Sequence, residues 1–132
     1  MVDRFLIYGY GIAHLLVALL CGASIGMVRE KAGAPAGLKT HTVVAMGSSM
    51  IIYVMVSLFN EYGGSDSIAR VMAGVIQGIT FLGSGLIIRD GEKIAGLTSA
   101  ATIWYTSIIG MISGTKLWFF AIIITLMYLV VI

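Results

Sequence analysis

An all-α fold, a polytopic transmembrane bundle of about five helices, is what this sequence predicts, and three observations predict it. Of the 132 residues, 59% are hydrophobic and only 11% are charged. A soluble domain of this size has too little interior to hide so much apolar surface, whereas lipid is itself apolar and removes the difficulty. The apolar text falls into five runs, at about 5–27, 41–59, 69–88, 96–113 and 116–132, each close to the ~20 residues that cross a hydrocarbon core. Short polar turns separate the runs, so a single membrane domain, 1–132, accounts for the chain.

The first run opens after Asp3 and Arg4, and Phe5 to Val28 is too long for a secretory signal core. It is expected to be a retained span. Cys21, the one cysteine, excludes an internal disulfide and a cysteine-based metal cluster and reads as a small buried hydrophobe. His14 has two readings, a neutral imidazole bonded to a neighbouring helix or a proton relay. Ala18, Gly22 and Gly26 recur at a spacing of four, which marks a face that meets another helix closely. The second run begins at His41, beside Lys39, where an interfacial histidine is expected.

The third run carries Gly74, Gly78, Gly83 and Gly85, with Gln77, Thr80 and Ser84 among them. Glycine costs a water-exposed helix about 1 kcal/mol per residue, but in lipid it lets two backbones approach. The turn Arg89-Asp90-Gly91-Glu92-Lys93 joins this run to the fourth, which carries Gly110 and Gly114. The pair is therefore expected to form a tightly packed hairpin whose polar groups face protein. The fifth run is the richest in continuous Ile, Leu and Val, and is expected to be peripheral and lipid-facing.

Charge sets the orientation. The first loop holds Arg29, Lys31 and Lys39 against Glu30, and the third holds Arg89 and Lys93. The second holds Glu61 and Asp66, with Arg70 at its far end. Basic loops stay cytoplasmic, so the N-terminus is expected outside and the C-terminus inside, with Lys116 against the trend. The segments Gly26–Thr40 and Gly85–Ser99 also read alike, each running from a glycine through an Arg-acid pair to Ala-Gly-Leu. Either two parallel hairpin repeats underlie this or Gly- and Ala-rich text agrees by chance.

Candidate chemistry lies in two places. Arg70, Gln77 and Ser84 follow helical steps on one face of the third run, and Thr98 and Thr102 share a face of the fourth. They could line a polar or ion path, or bond to neighbouring helices and their own carbonyls. Arg29, Lys39, Arg89 and Lys93 form a basic cytoplasmic mouth near the N-termini of the second and fourth helices. Such a mouth suits a phosphate or lipid headgroup, or serves as plain positive-inside anchoring. No span has a carboxylate near its centre, and there is no zinc spacing, phosphate loop or Ser/His/Asp set. No metal site, cofactor, catalytic residue or nucleic-acid partner is expected.

Four ordered stretches carry a resemblance: Arg29-Glu30, Pro35-Ala36-Gly37-Leu38-Lys39-Thr40-His41, Gly78 through Gly85, and Gly96 through Trp104. In sequence and spacing the chain resembles the membrane domain of MgtC/SapB proteins. It departs from them at Val28, where an acidic residue is usual, at Ser67, where a proline is usual, and at Gly74 and Gln77, where Gln and Ser or Thr are usual. Ending at its fifth run, it is similar to the shorter, SapB-like members that have no cytoplasmic C-terminal domain. The resemblance implies a multi-pass protein of the bacterial inner membrane. It further implies links to growth in low magnesium, survival inside macrophages, restraint of the rotary ATP synthase and phosphate handling. The expected function is a non-enzymatic regulator of ion, phosphate or membrane-potential homeostasis, acting through membrane partners and as a homodimer. The alternative is a small dimeric transporter or channel.

Overall fold

The computed structural model describes residues 2–62 and 65–132. It has five helices: α1 (Val2–Lys31), α2 (Leu38–Tyr62), α3 (Ser65–Ser84), α4 (Leu97–Ser113) and α5 (Trp118–Val131). Leu6–Lys31, Leu38–Leu58 and Asp66–Ser84 are long and apolar enough to cross a bilayer. With α4 and α5, of 17 and 14 residues, they make an all-α membrane bundle. Glu61, assigned above to the second loop, belongs to α2, and its side chain lies outside the described residues.

The first reversal is built from local chemistry. Gly33 takes a left-handed φ of 69°, its amide bonds to Glu30 O at 3.0 Å, and Ala34 N bonds to Arg29 O at 3.0 Å. These bonds close the C-terminus of α1, and Pro35 then prevents the helix from resuming. The third helix ends earlier than the apolar run suggests, at Ser84 rather than near residue 88. Glycines at 83 and 85 weaken the helix there, and the chain crosses into a small antiparallel hairpin, β1 (Ile88–Asp90) and β2 (Lys93–Ala95). Ile88 pairs with Ala95 and Asp90 with Lys93, so the charged turn expected between the third and fourth spans is the tip of this hairpin.

The two Ala-Gly-Leu segments do correspond in one respect. Leu38 is the first residue of α2 and Leu97 the first of α4. They differ in another, since Arg29 is helical and Arg89 lies in a strand.

The centre of the bundle is α2, clasped between α1 and α4. A Cβ added at Gly22 would lie 2.8 Å from Ala45 Cβ, and one at Gly26 2.6 Å from Leu38 Cα. On the other side, Gly110 meets the Ala45 carbonyl and Gly114 the Ser49 carbonyl with no room for a side chain. The glycine faces of α1 and α4 thus grip the two sides of α2, the close approach that small residues permit in lipid. The core follows from this arrangement: Ala18, Ile25, Ala45, Ile52, Ile103, Ile109 and Met111 are fully buried. Helix α5 packs on α1 and α4 and buries only Ala121 and Thr125, in keeping with a peripheral helix.

The third helix lies elsewhere than its glycines suggest. Of its described side chains only Gly83 is buried, in ordinary contact with Ala100. Its apolar side, including Ile68, Val71, Val75 and Ile79, turns towards the bundle, and Arg70, Gln77 and Ser84 are exposed.

Candidate functional site

At one end of the bundle the C-terminus of α1, the N-termini of α2 and α4, and the β-hairpin come together. Five of the eight lysines and arginines, Arg29, Lys31, Lys39, Arg89 and Lys93, belong to these segments. Among them Arg29 is drawn inward. Its Nη2 donates to Ser99 Oγ at 3.2 Å, and its Nε is buried without a partner among the described residues. Lys39, Arg89 and Lys93 stay exposed, and Arg89 Nε donates to its own turn at Gly91 O, 3.1 Å away. Arg29, Lys39, Arg89 and Lys93 therefore share one end of the molecule.

Glu30 does different work from its neighbour. Its Oε2 accepts the Leu38 amide at 2.8 Å, so a carboxylate from α1 caps the first turn of α2. A negative group is favourable there because helix amides and the macrodipole both present positive charge. The fit depends on Gly37, where a Cβ would lie 2.6 Å from that same oxygen.

His41, in the first turn of α2, is fully buried within the protein. Its Nδ1 lies 2.8 Å from Gly37 O. A carbonyl only accepts, so Nδ1 carries the proton and Nε2 is left as an acceptor. That Nε2 is buried and unpartnered among the described residues. Arg29 and Ser99 complete a buried polar knot that ties α1 to α4 beside the first turn of α2, with an unmet donor on Arg29 and an unmet acceptor on His41. Glu30, His41 and Ser99 do not stand out by residue type alone. The signal for them is that they lie within the four stretches that carry the family resemblance.

The polar residues of α3 are placed differently. Arg70, Gln77 and Ser84 all lie on its outward face, and Ser84 Oγ donates to Phe81 O of its own helix at 2.7 Å. Gly74 and Gly78 have open space where a side chain would be. They border an apolar groove of about 530 Å³ between α2 and α3, with Val44, Ser48 and Ile79 on its walls. On α4, Thr98 is exposed and Thr102 is buried. Thr102 Oγ1 donates to Thr98 O at 2.7 Å and accepts from the Tyr128 hydroxyl of α5 at 3.0 Å. Gln77 is exposed on α3, whereas Thr102 is bonded towards α5.

His14 bonds across helices: its Nδ1 is 2.6 Å from Ser113 O at the end of α4, and its ring lies 5.2 Å from that of Tyr53. The bond to a neighbouring helix that the first of its two readings expects is therefore present.

An all-α membrane bundle with a buried charged knot at one end defines the class. The chain belongs to the MgtC family, whose model matches residues 15–132. It is 39% identical to protein SrpB of Synechococcus elongatus, over 80% of this chain and 63% of SrpB. It is 38% identical to YhiD of Escherichia coli K12, over 79% of this chain and 50% of YhiD. Protein MgtC of Salmonella typhimurium LT2 is 40% identical over 86% of this chain and 47% of MgtC. The chain thus spans about half to two thirds of the length of these relatives. No solved structure matches it.

Proposed function

We propose that this chain is a non-enzymatic protein of the bacterial inner membrane that regulates ion, phosphate or membrane-potential homeostasis through contacts made by the outward face of α3. One observation carries the reading. Arg70, Gly74, Gln77 and Gly78 lie on or beside the exposed side of a helix long and apolar enough to span the bilayer. An amide facing hydrocarbon with no partner costs about 1–3 kcal/mol, and glycines there leave a cleft that lipid fills poorly. Both penalties disappear when another helix covers the face.

A second copy of this chain suits it. The Gln77 amide both donates and accepts, so two copies related by a two-fold axis along the membrane normal can bond to each other there. Asp66 and Arg70 are one helical turn apart and both exposed, so one copy's arginine can reach the other's carboxylate. The orientation follows the basic end of the bundle, with the N-terminus outside and the C-terminus cytoplasmic. A larger membrane partner, the rotary ATP synthase suggested by the family resemblance, would compete for or extend the same face.

Cysteine crosslinking in native membranes tests this. In a Cys21→Ser background, Gly78→Cys is expected to give a crosslinked dimer. Val130→Cys, on the exposed side of α5, is expected to give none. Monomer alone from Gly78→Cys would remove the basis of the proposal. The name of YhiD suggests magnesium transport, and reconstituted protein separates that reading from regulation: flux of magnesium or phosphate that Gln77→Leu abolishes would favour a transporter.

A further inference from the structure

Opposite the basic end, the turn between α4 and α5 closes a pocket of about 370 Å³ against α1 and α2. Among the described residues, Lys116 is the only lysine, arginine or carboxylate in its lining. Three of the hydroxyls that line it are already committed to backbone carbonyls: Tyr53 donates to Ile7 O at 2.5 Å, Ser57 to Tyr53 O at 2.8 Å, and Thr115 to Ile112 O at 2.7 Å. The ammonium is therefore the group of the pocket that seeks an anion.

The pocket does not end there. It shares Tyr10, His14 and Trp118 with a second cavity of about 220 Å³. That cavity shares Val17 with a third, of about 180 Å³, between α1 and α5. Together they follow one face of α1 from Tyr10 to Ser24, a rise of about 21 Å. Beyond the first cavity the walls are apolar apart from Cys21, Ser24 and Thr125, and both Ser24 and Thr125 donate to their own helix. A cation at the membrane-interface end of an apolar crease longer than one leaflet of a ~30 Å core complements one kind of molecule.

We propose that this crease is a binding site for an anionic phospholipid, with the headgroup phosphate on Lys116 and one acyl chain lying between α1 and α5. Charge complementarity chooses the headgroup, and the apolar lining chooses the chain. The site is separate from the outward face of α3, so it stands or falls independently of dimerisation.

The test uses the full chain reconstituted in vesicles of equal parts phosphatidylcholine and phosphatidylglycerol, then extracted mildly and weighed intact by native mass spectrometry. Phosphatidylglycerol is expected to be retained about fivefold over phosphatidylcholine, the fold-change set by roughly 1 kcal/mol per basic residue at an anionic surface. Lys116→Gln, at an exposed position, is expected to remove the preference and leave thermal stability unchanged. Ala13→Phe, which fills the middle cavity, is expected to remove the retained lipid while Lys116 is intact. Equal retention of the two lipids, a preference that survives Lys116→Gln, or a second copy of the chain retained in place of lipid would each overturn the proposal.

Discussion

Arg29 and Ser99 stand 70 residues apart in the chain, yet the arginine Nη2 donates to the serine Oγ at 3.2 Å. This bond ties the end of α1 to the start of α4 beside the buried His41. A hydrogen bond to a charged group contributes about 1.5–3 kcal/mol, and removing one partner can cost more when the other is left buried. Ser99→Ala is therefore expected to destabilise the protein by about 2 kcal/mol. Arg29→Met is expected to cost at least as much, and the double variant less than the sum. A thermal-denaturation cycle in detergent micelles measures this, and strictly additive losses would show that the two side chains do not interact.

The glycines make a second prediction by their unequal surroundings. Gly22, Gly26, Gly110 and Gly114 meet backbone or Cβ atoms of α2, whereas Gly74 and Gly78 meet nothing within 4 Å. Gly110→Ala must push α4 off α2, and overpacking of this kind costs about 1–3 kcal/mol. Gly78→Ala meets open space and gains helix propensity of up to about 1 kcal/mol. Melting temperatures of monomer in detergent are expected to fall for the first and hold or rise for the second. In native membranes, Gly78→Leu added to a Gly74→Cys reporter in the Cys21→Ser background is expected to reduce crosslinking through α3, and Gly78→Leu alone is expected not to lower that monomer melting temperature.

These contrasts mark what could be read from the residues and what could not. The five helices followed from the apolar runs because length and hydropathy are local properties. The glycine faces of α1 and α4 also followed from their spacing. The partner of those faces did not. Small-xxx-small spacing says that a face admits close approach, but not whether the neighbour belongs to the same chain. The glycines of α3 pointed to a hairpin packed tightly along its length; α3 does pack on α4, with Gly83 beside Ala100, but Gly74 and Gly78 are left bare. The signal in α2 was present but faint: Ala45, Ser48 and Ser49 are small and buried, with no glycine pair among them. The burial of His41 had no local signature, because it depends on α1 and α4 closing over the start of α2. The β-hairpin escaped notice because strands of three residues are too short to display a period of two.

Helix α5 is held by a contact that residue type alone does not reveal. The Tyr128 hydroxyl donates to Thr102 Oγ1 at 3.0 Å, and the rings of Tyr105 and Tyr128 stack with centroids 5.3 Å apart. Interhelical hydrogen bonds in membrane proteins average about 0.6 kcal/mol. Tyr128→Phe is expected to lose about that much, since the ring remains. Tyr128→Leu also loses the aromatic pair and is expected to cost about 1 kcal/mol more. Unfolding in mixed micelles reads both, and equal losses from the two variants would place the energy in the hydroxyl alone.

Gly96 sets how the hairpin returns to the bundle. It takes φ 86°, and a Cβ there would run into the Leu86 carbonyl. Gly96→Ala therefore meets two penalties, about 1–2 kcal/mol for a left-handed backbone and a backbone collision that no rotamer relieves. The expected result is that β1 and β2 detach and the first turn of α4 frays, because the Ala100 amide bonds to Gly96 O at 2.9 Å. Arg89 and Lys93 lie on the two strands, so limited trypsin digestion reports the change directly. Cleavage after these residues should accelerate in Gly96→Ala, while Gly91→Ala, whose added Cβ meets no atom within 4 Å, should cleave more slowly than Gly96→Ala. Identical rates for the two variants would mean that the tight passage beside Leu86 does not hold the hairpin in place.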